Sequence, residues 1–384
     1  MQKTLIVHSG TFKTGSTAIQ TFLARASREG NLPPEVAYPT IGRGEHSIQH
    51  QNLYSQLLGE VLFSPALGTW EQLVESIASG SAETTVISCE AFSMLEPEHI
   101  RAIGEYAREA GAKVRWVHYV RDQATFYNAF YVERLMVMRP EHAELVDLPF
   151  EDFREWSPLD MSFLHYGEFA DTITSAIPDV DIRLRPFIRK ELRNGNAVAD
   201  FLDTCELPIQ GDGAGTSNVG SGWRTVETAR HLAPIVAAAP MRGRLRGADS
   251  WKATRLRWIQ ILRGEYVTLT TQLGWNDSSA VYMTPEFRQE LLADYREDNL
   301  LIGKLGGFSF TDMIEQSSFP EYNIGDYATI PGDEVMQVVK LVMQGLHTIP
   351  EEIQQEVEAG RARRREREAE KTSQRGRLRG LLRR

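Results

Sequence analysis

The chemistry of this chain concentrates in one short run, Gly10-Thr11-Phe12-Lys13-Thr14-Gly15-Ser16-Thr17. Two glycines five residues apart, with hydroxyls and a lysine between and after them, make an anion site when they stand before a helix. Free backbone N–H groups converge there and the helix dipole favours negative charge. Thr14, Ser16 and Thr17 add hydroxyl donors and Lys13 adds a point charge. A nucleoside-triphosphate loop carries its lysine directly after the second glycine. Here Ser16 holds that place, and the lysine stands two residues before Gly15. A lysine in the loop body suits a shorter donor, one phosphate and one transferable group, whose bridging oxygen gains charge as the bond breaks.

Such a loop works only between a buried strand and a helix. Thr4 to Gly10 is a short apolar run ending in a turn and predicts a buried strand. Ser16 to Arg28 carries Ile19, Phe22 and Leu23 at i, i+3 and i+4 and predicts a helix. Further strands are expected at 84–88, 113–120 and 181–187, and helices at 71–80 and through RDQATFYNAFYVERLM. Residues 30–52 and GDGAGTS, 211–217, read as loops. Beyond residue 190 helices are expected at 197–204, 222–239, 251–273, 286–304 and 333–345. Strands alternating with helices predict a mostly parallel sheet covered on both faces. The expected fold is therefore a three-layer α/β sandwich of P-loop type with a helical second half. The expected organisation is one domain over 1–350 and a charged tail, 351–384, that is helical or disordered.

HSGTFKTGSTAIQTFL resembles the 5′-phosphosulfate loop of the sulfotransferase superfamily, in the form carried by bacterial sulfotransferase-family proteins. VHYVRDQATFYNAFY resembles that family's strand ending in Val-Arg and the helix after it. ISCEAFSML resembles its strand ending in Ser-Ser-Glu, RKELRNGNAVADFLDTCELP its later Gly-to-Asp-Phe-Leu segment, and YREDN its Tyr-x-x-x-Asn. The resemblance implies a transfer of a sulfuryl group from 3′-phosphoadenosine 5′-phosphosulfate to a hydroxyl or amine. It implies that Thr11, Phe12, Lys13, Thr14, Gly15, Ser16 and Thr17 hold the 5′-phosphosulfate and that Arg121 holds the 3′-phosphate. Ala129 stands where the family carries a serine, with Asn128 or Tyr127 as the neighbouring donor. A carbohydrate or cell-envelope precursor is the expected acceptor.

Transfer to an alcohol needs a base. His50-Gln51-Asn52-Leu53 fits the family's His-x-x-Leu pattern, which ranks His50 first, Glu90 second and His46 third. His8 and His118 fall inside strands and read as packed side chains. No histidine or carboxylate spacing suggests a metal. Two rival functions remain open, a small-molecule kinase and a non-catalytic nucleotide-binding protein on the same fold.

Net charge is −10, but residues 361–384 hold ten Arg and one Lys against three Glu, so the other 360 residues carry −18. A body this acidic argues against nucleic-acid binding. Leu378, Leu381 and Leu382, flanked by Arg377, Arg379, Arg383 and Arg384, predict a weak contact of the tail with anionic membranes. Two distant cysteines, Cys89 and Cys205, and the lack of a long apolar run predict a cytoplasmic protein.

Overall fold

The computed structural model describes residues 2–381, apart from 45–46, 61, 138–147, 157–160, 210–220, 246–247, 249, 277–278 and 318. For residues 154, 156, 242 and 367–381 it describes the backbone alone. The GDGAGTS segment and His46 thus lie outside the described residues.

In chain order the elements begin β1 (Lys3–His8), α1 (Ser16–Glu29), β2 (Val36–Ala37), α2 (Gln51–Leu57), α3 (Trp70–Ser79), β3 (Thr84–Ser88) and α4 (Pro97–Glu109). They continue with β4 (Ala112–Val120), α5 (Gln123–Met136), α6 (Phe153–Trp156), α7 (Tyr166–Ala176), β5 (Asp181–Pro186) and α8 (Ala197–Thr204). The rest is helical: α9 (Trp223–Ala238), α10 (Met241–Arg244), α11 (Trp251–Gln272), α12 (Pro285–Asp294), α13 (Arg296–Gly306), α14 (Phe310–Glu315), α15 (Gly332–His347) and α16 (Glu351–Leu381).

The five strands form one all-parallel sheet in the order β2-β3-β1-β4-β5. Apolar residues on both faces of each central strand make this possible. Leu5, Val7 and Trp116 pack with α3, α4 and α7 on one face, through Trp70, Leu73, Ile100, Ile103 and Ile173. Ile6, Val117 and Tyr119 pack with α1 and α8 on the other, through Ile19, Leu23, Val198 and Phe201. The fold is α/β, and the two cores are consistent with a three-layer sandwich.

Three departures from the sequence expectation have local causes. β2 and the start of α2 lie within the stretch read as loop, because a two-residue strand exists only through its pairing with β3. The crossovers to β4 and β5 are carried by α4 and α7, two amphipathic helices beyond those the sequence predicts. The helix expected over 286–304 breaks at Tyr295, where φ −99° and ψ 6° end α12 and start α13.

The described chain divides into two compact units. The first comprises Met1–Ala129, Ser157–Ser217 and Thr284–Pro320 and holds the whole sheet; the second comprises Phe130–Trp156, Asn218–Met283 and Glu321–Arg384. The second unit is helical, and α16 belongs to it. Ile353 and Val357 are buried. Glu356 accepts from Thr254 at 2.5 Å and Arg257 at 2.7 Å on α11. The two apolar residues at i and i+4 give the first turns of α16 one buried stripe. No helix among the described residues is long and apolar enough to cross a membrane.

Candidate active site

β1 and β4 are neighbours whose chains leave in opposite directions, β1 through α1 towards β2 and β4 towards β5 at the other edge. Open parallel sheets bind ligands outside the carboxyl ends of such a strand pair. From β1 this position receives residues 9–15, and from β4 it receives Arg121 and Asp122. The loop first continues along β4: Ser9 N–H donates to Val117 O at 3.0 Å and Thr11 N–H to Tyr119 O at 3.2 Å. It then turns sharply, with Lys13 at φ +69° and Gly15 at φ +76°. Gly15 caps α1, and a Cβ there would lie 2.9 Å from both Ala197 Cβ and the Phe187 ring, so conformation and space both require glycine. Across the crevice Arg121 Nη1 donates to Lys13 O at 2.7 Å. Thr14 Oγ1 donates to Thr11 O at 2.5 Å. The N–H groups of Gly15, Ser16 and Thr17 have no backbone acceptor among the described residues, as expected where a helix begins.

Arg121 is itself set by its neighbours. Asp122 caps α5, accepting from Ala124 N–H at 2.9 Å and the Thr125 hydroxyl at 3.0 Å. Gln123 and Asn299 pair through both amides, at 2.7 and 3.2 Å. Asp298 accepts from Gly167 N–H at 3.0 Å and Glu168 N–H at 2.9 Å at the start of α7. The Tyr295-to-Asn299 segment thus ties down the helices that follow β4 and precede β5. Burial lowers the Arg121 pKa, and the carboxylate of Asp122 opposes that shift.

Beneath the loop lies a buried polar layer. His8 Nδ1 is 2.8 Å from Ser88 Oγ, and Ser88 Oγ accepts from Gln20 Nε2 at 3.1 Å. His118 Nδ1 donates to Ser9 O, and Trp116 Nε1 donates to Ser9 Oγ at 2.6 Å. Burial lowers the His8 pKa to about 3 and the His118 pKa to about 4, and His118 is a smaller cause for His8. Both are neutral near pH 7. The Nε2 atoms of both rings are buried and have no hydrogen-bond partner among the described residues. These histidines are packed, as their strand positions suggested, but each uses only one nitrogen. The signal in the sequence was a histidine as the last residue of a buried strand, just before a glycine turn.

The structure brings Thr11, Phe12, Lys13, Thr14, Gly15, Ser16 and Thr17 into one loop and helix start, with Arg121 bonded to it. Thr11, Thr14 and Ser16 are buried and Thr17 is exposed. Phe12 packs edge-on against Phe163, ring centres 5.8 Å apart. Asn128 lies half-buried on α5, two helical turns beyond Arg121. Glu90 is half-buried in the turn Glu90–Met94 that follows β3, the strand beside β1.

His50 has a different setting from the one its pattern suggested. It is fully buried, Ser88 N–H donates to its Nδ1 at 3.1 Å, and its Nε2 donates to Pro39 O at 3.1 Å. Burial lowers its pKa to about 3, with Arg43 a smaller cause. Neither nitrogen is available to take a proton from an acceptor, and the ring instead joins the end of β3 to the segment after β2.

At the other side of the loop, Asp200 on α8 is buried and accepts from Tyr119 Oη at 2.8 Å, Arg185 at 2.5 and 3.0 Å, and Arg193 N–H at 2.9 Å. This network holds the start of α8 against β4 and β5, where Ala197 meets Gly15. Among the described residues no three His, Cys, Asp or Glu side chains are grouped to hold a metal ion. No protein-family model, curated protein or solved structure matches the chain.

Proposed function

We propose that the protein is a sulfotransferase that moves a sulfuryl group from 3′-phosphoadenosine 5′-phosphosulfate to a hydroxyl or amine, on a fold of P-loop type. The observation that carries this reading is the lysine in the loop body. Lys13 stands two residues before Gly15, at positive φ, in the crevice between β1 and β4, with Arg121 bonded to its carbonyl. With Ser16 after Gly15, the loop lacks the lysine that a triphosphate requires.

In this reading the loop N–H groups and the hydroxyls of Ser16 and Thr17 hold the 5′-phosphate and sulfuryl oxygens, while Thr14, whose hydroxyl donates to Thr11 O, closes the turn. Arg121, with Asn128 beyond it, takes the 3′-phosphate. The acceptor oxygen forms a new bond to sulfur as the bond from sulfur to the bridging oxygen breaks. The electron pair stays on the departing 5′-phosphate, where Lys13 meets the growing charge. Adenosine 3′,5′-bisphosphate leaves, and the acceptor proton passes to a base. Glu90 takes that role before His50, because both His50 nitrogens are engaged. A hydroxyl of a carbohydrate or cell-envelope precursor is the acceptor class this reading favours, in a cytoplasmic setting.

The test is ligand-dependent melting followed by turnover. Adenosine 3′,5′-bisphosphate should raise the melting temperature while ATP with Mg²⁺ does not, and labelled sulfate should reach an acceptor in a glycan and lipid panel. A response to ATP·Mg²⁺ alone would make the protein a kinase candidate. Bisphosphate binding without transfer across the panel would leave a nucleotide-binding protein.

A further inference from the structure

A helix start behind a glycine turn is not by itself a site, but here a buried side chain points into it. An added Cβ on Gly10 would lie 2.4 Å from Thr14 Oγ1, 2.7 Å from Ser16 Oγ and 3.6 Å from His8 Nε2. Three polar side-chain atoms therefore face one point on the inner side of the loop. Thr14 already donates to Thr11 O. His8 Nε2 is fully buried and has no partner among the described residues.

The hydrogen bonds around Ser88 favour one His8 tautomer. Gln20 Nε2 donates to Ser88 Oγ at 3.1 Å. The Ser88 proton then needs an acceptor, and His8 Nδ1 lies 2.8 Å away, while the Tyr38 hydroxyl, which also interacts with Ser88, donates to Ile48 O at 2.6 Å. Nδ1 accepts, so the ring proton is on Nε2. A buried N–H without an acceptor is unfavourable, because it has given up water for nothing. An oxyanion entering the loop supplies the missing acceptor.

We propose that His8 is a binding residue of the loop, its Nε2–H donating to an oxygen of the phosphate or sulfuryl group held between Gly10 and Ser16. This rests on the reading of the loop as an anion site. The low pKa keeps the ring neutral, so it contributes a donor of fixed direction from pH 5 upward and leaves the charge to Lys13 and Arg121. It also explains why residue 10 is glycine: a Cβ would fill the point that the three polar atoms face.

The test separates the two ring nitrogens. Asparagine places its amide near Nδ1 and reaches Ser88 but not the loop; glutamine reaches the Nε2 position. Binding of adenosine 3′,5′-bisphosphate, ATP·Mg²⁺ and inorganic sulfate is measured by calorimetry for the wild type, His8→Asn and His8→Gln. His8→Asn should weaken whichever probe binds by tenfold or more, and His8→Gln should stay within about threefold of wild type. In the wild type, the His8 Nε2–H proton resonance should move downfield on titration, a readout independent of the variants' folding. Equal affinity in His8→Asn, equal losses in both variants with an unmoved resonance, or a wild type that binds none of the probes would overturn the proposal. If ATP·Mg²⁺ alone binds and His8→Asn weakens it, the role of His8 stands and the sulfotransferase reading falls.

Discussion

Lys13 combines a left-handed backbone with the charge that the proposed mechanism uses. A non-glycine residue at φ +69° costs about 1–2 kcal/mol, and it persists because Arg121 holds its carbonyl and Thr14 closes the turn behind it. Lys13→Ala should lower sulfuryl-transfer turnover a hundredfold or more, the scale of one lost transition-state contact, with the melting temperature nearly unchanged. Lys13→Gly should lose as much turnover while melting no lower than wild type, because glycine accepts the left-handed conformation. Near-normal transfer by either variant would remove Lys13 from the mechanism. Arg121→Ala loses the bond to the Lys13 carbonyl and the charge proposed to meet the 3′-phosphate. Calorimetry should show bisphosphate binding weaker by about 2 kcal/mol; unchanged affinity would place that phosphate elsewhere.

At the scale of elements, buried polar side chains join the strand ends that build the site. His8 joins β1 to β3, His50 joins β3 to the segment after β2, and His118 joins β4 to Ser9. All three have folded-state pKa values of about 3 to 4, below the value near 6.5 of an unfolded chain. The unfolded state therefore binds more protons as pH falls through 6.5. Stability is full above that pH and is lost on acidification, by up to about 4 kcal/mol per pH unit between pH 6 and 4 if all three act together. Urea unfolding at stepped pH measures the slope, and a stability flat from pH 7 to 4 would contradict it. Asp200 is the corresponding joint between α8, β4 and β5. Asp200→Ala leaves the Arg185 charge without its partner and should cost about 3–5 kcal/mol, read as a lower urea midpoint.

At the scale of the whole chain, the acidic body and the basic end differ most in what they can touch. The first turns of α16 pack on α11 in the second unit, and Arg364 donates to Ala248 O at 2.9 Å. The strongly basic, leucine-bearing stretch follows that packed part. A chain ending at Glu366 keeps these contacts and so tests the stretch alone. The full chain should co-sediment with anionic vesicles at low salt and release at high salt, since each basic residue near such a surface contributes about 1 kcal/mol before screening. The shortened chain should stay in the supernatant with equal activity on a soluble acceptor. Equal sedimentation would remove this end as the membrane contact.

Sequence by itself determined the parts whose information is local. The apolar runs at 4–8, 84–88 and 113–120 had to be buried strands, and Gly10-to-Thr17 had to be a tight turn before a helix. The helices over 197–204 and 251–272 showed the same local signals. Tertiary structure decided what depends on residues far apart in the chain. The two residues of β2 are a strand only beside β3. Ile353 and Val357 become core only where α11 covers them. His50 has the sequence surroundings of a base, yet Ser88 and Pro39, 38 and 11 residues away, take both its nitrogens. His8 has the surroundings of a core residue, yet one of its nitrogens faces the loop without a partner. Periodicity reports which face of an element is buried. The polar atoms that satisfy a buried side chain come from whichever elements the fold sets beside it, and no local pattern encodes them.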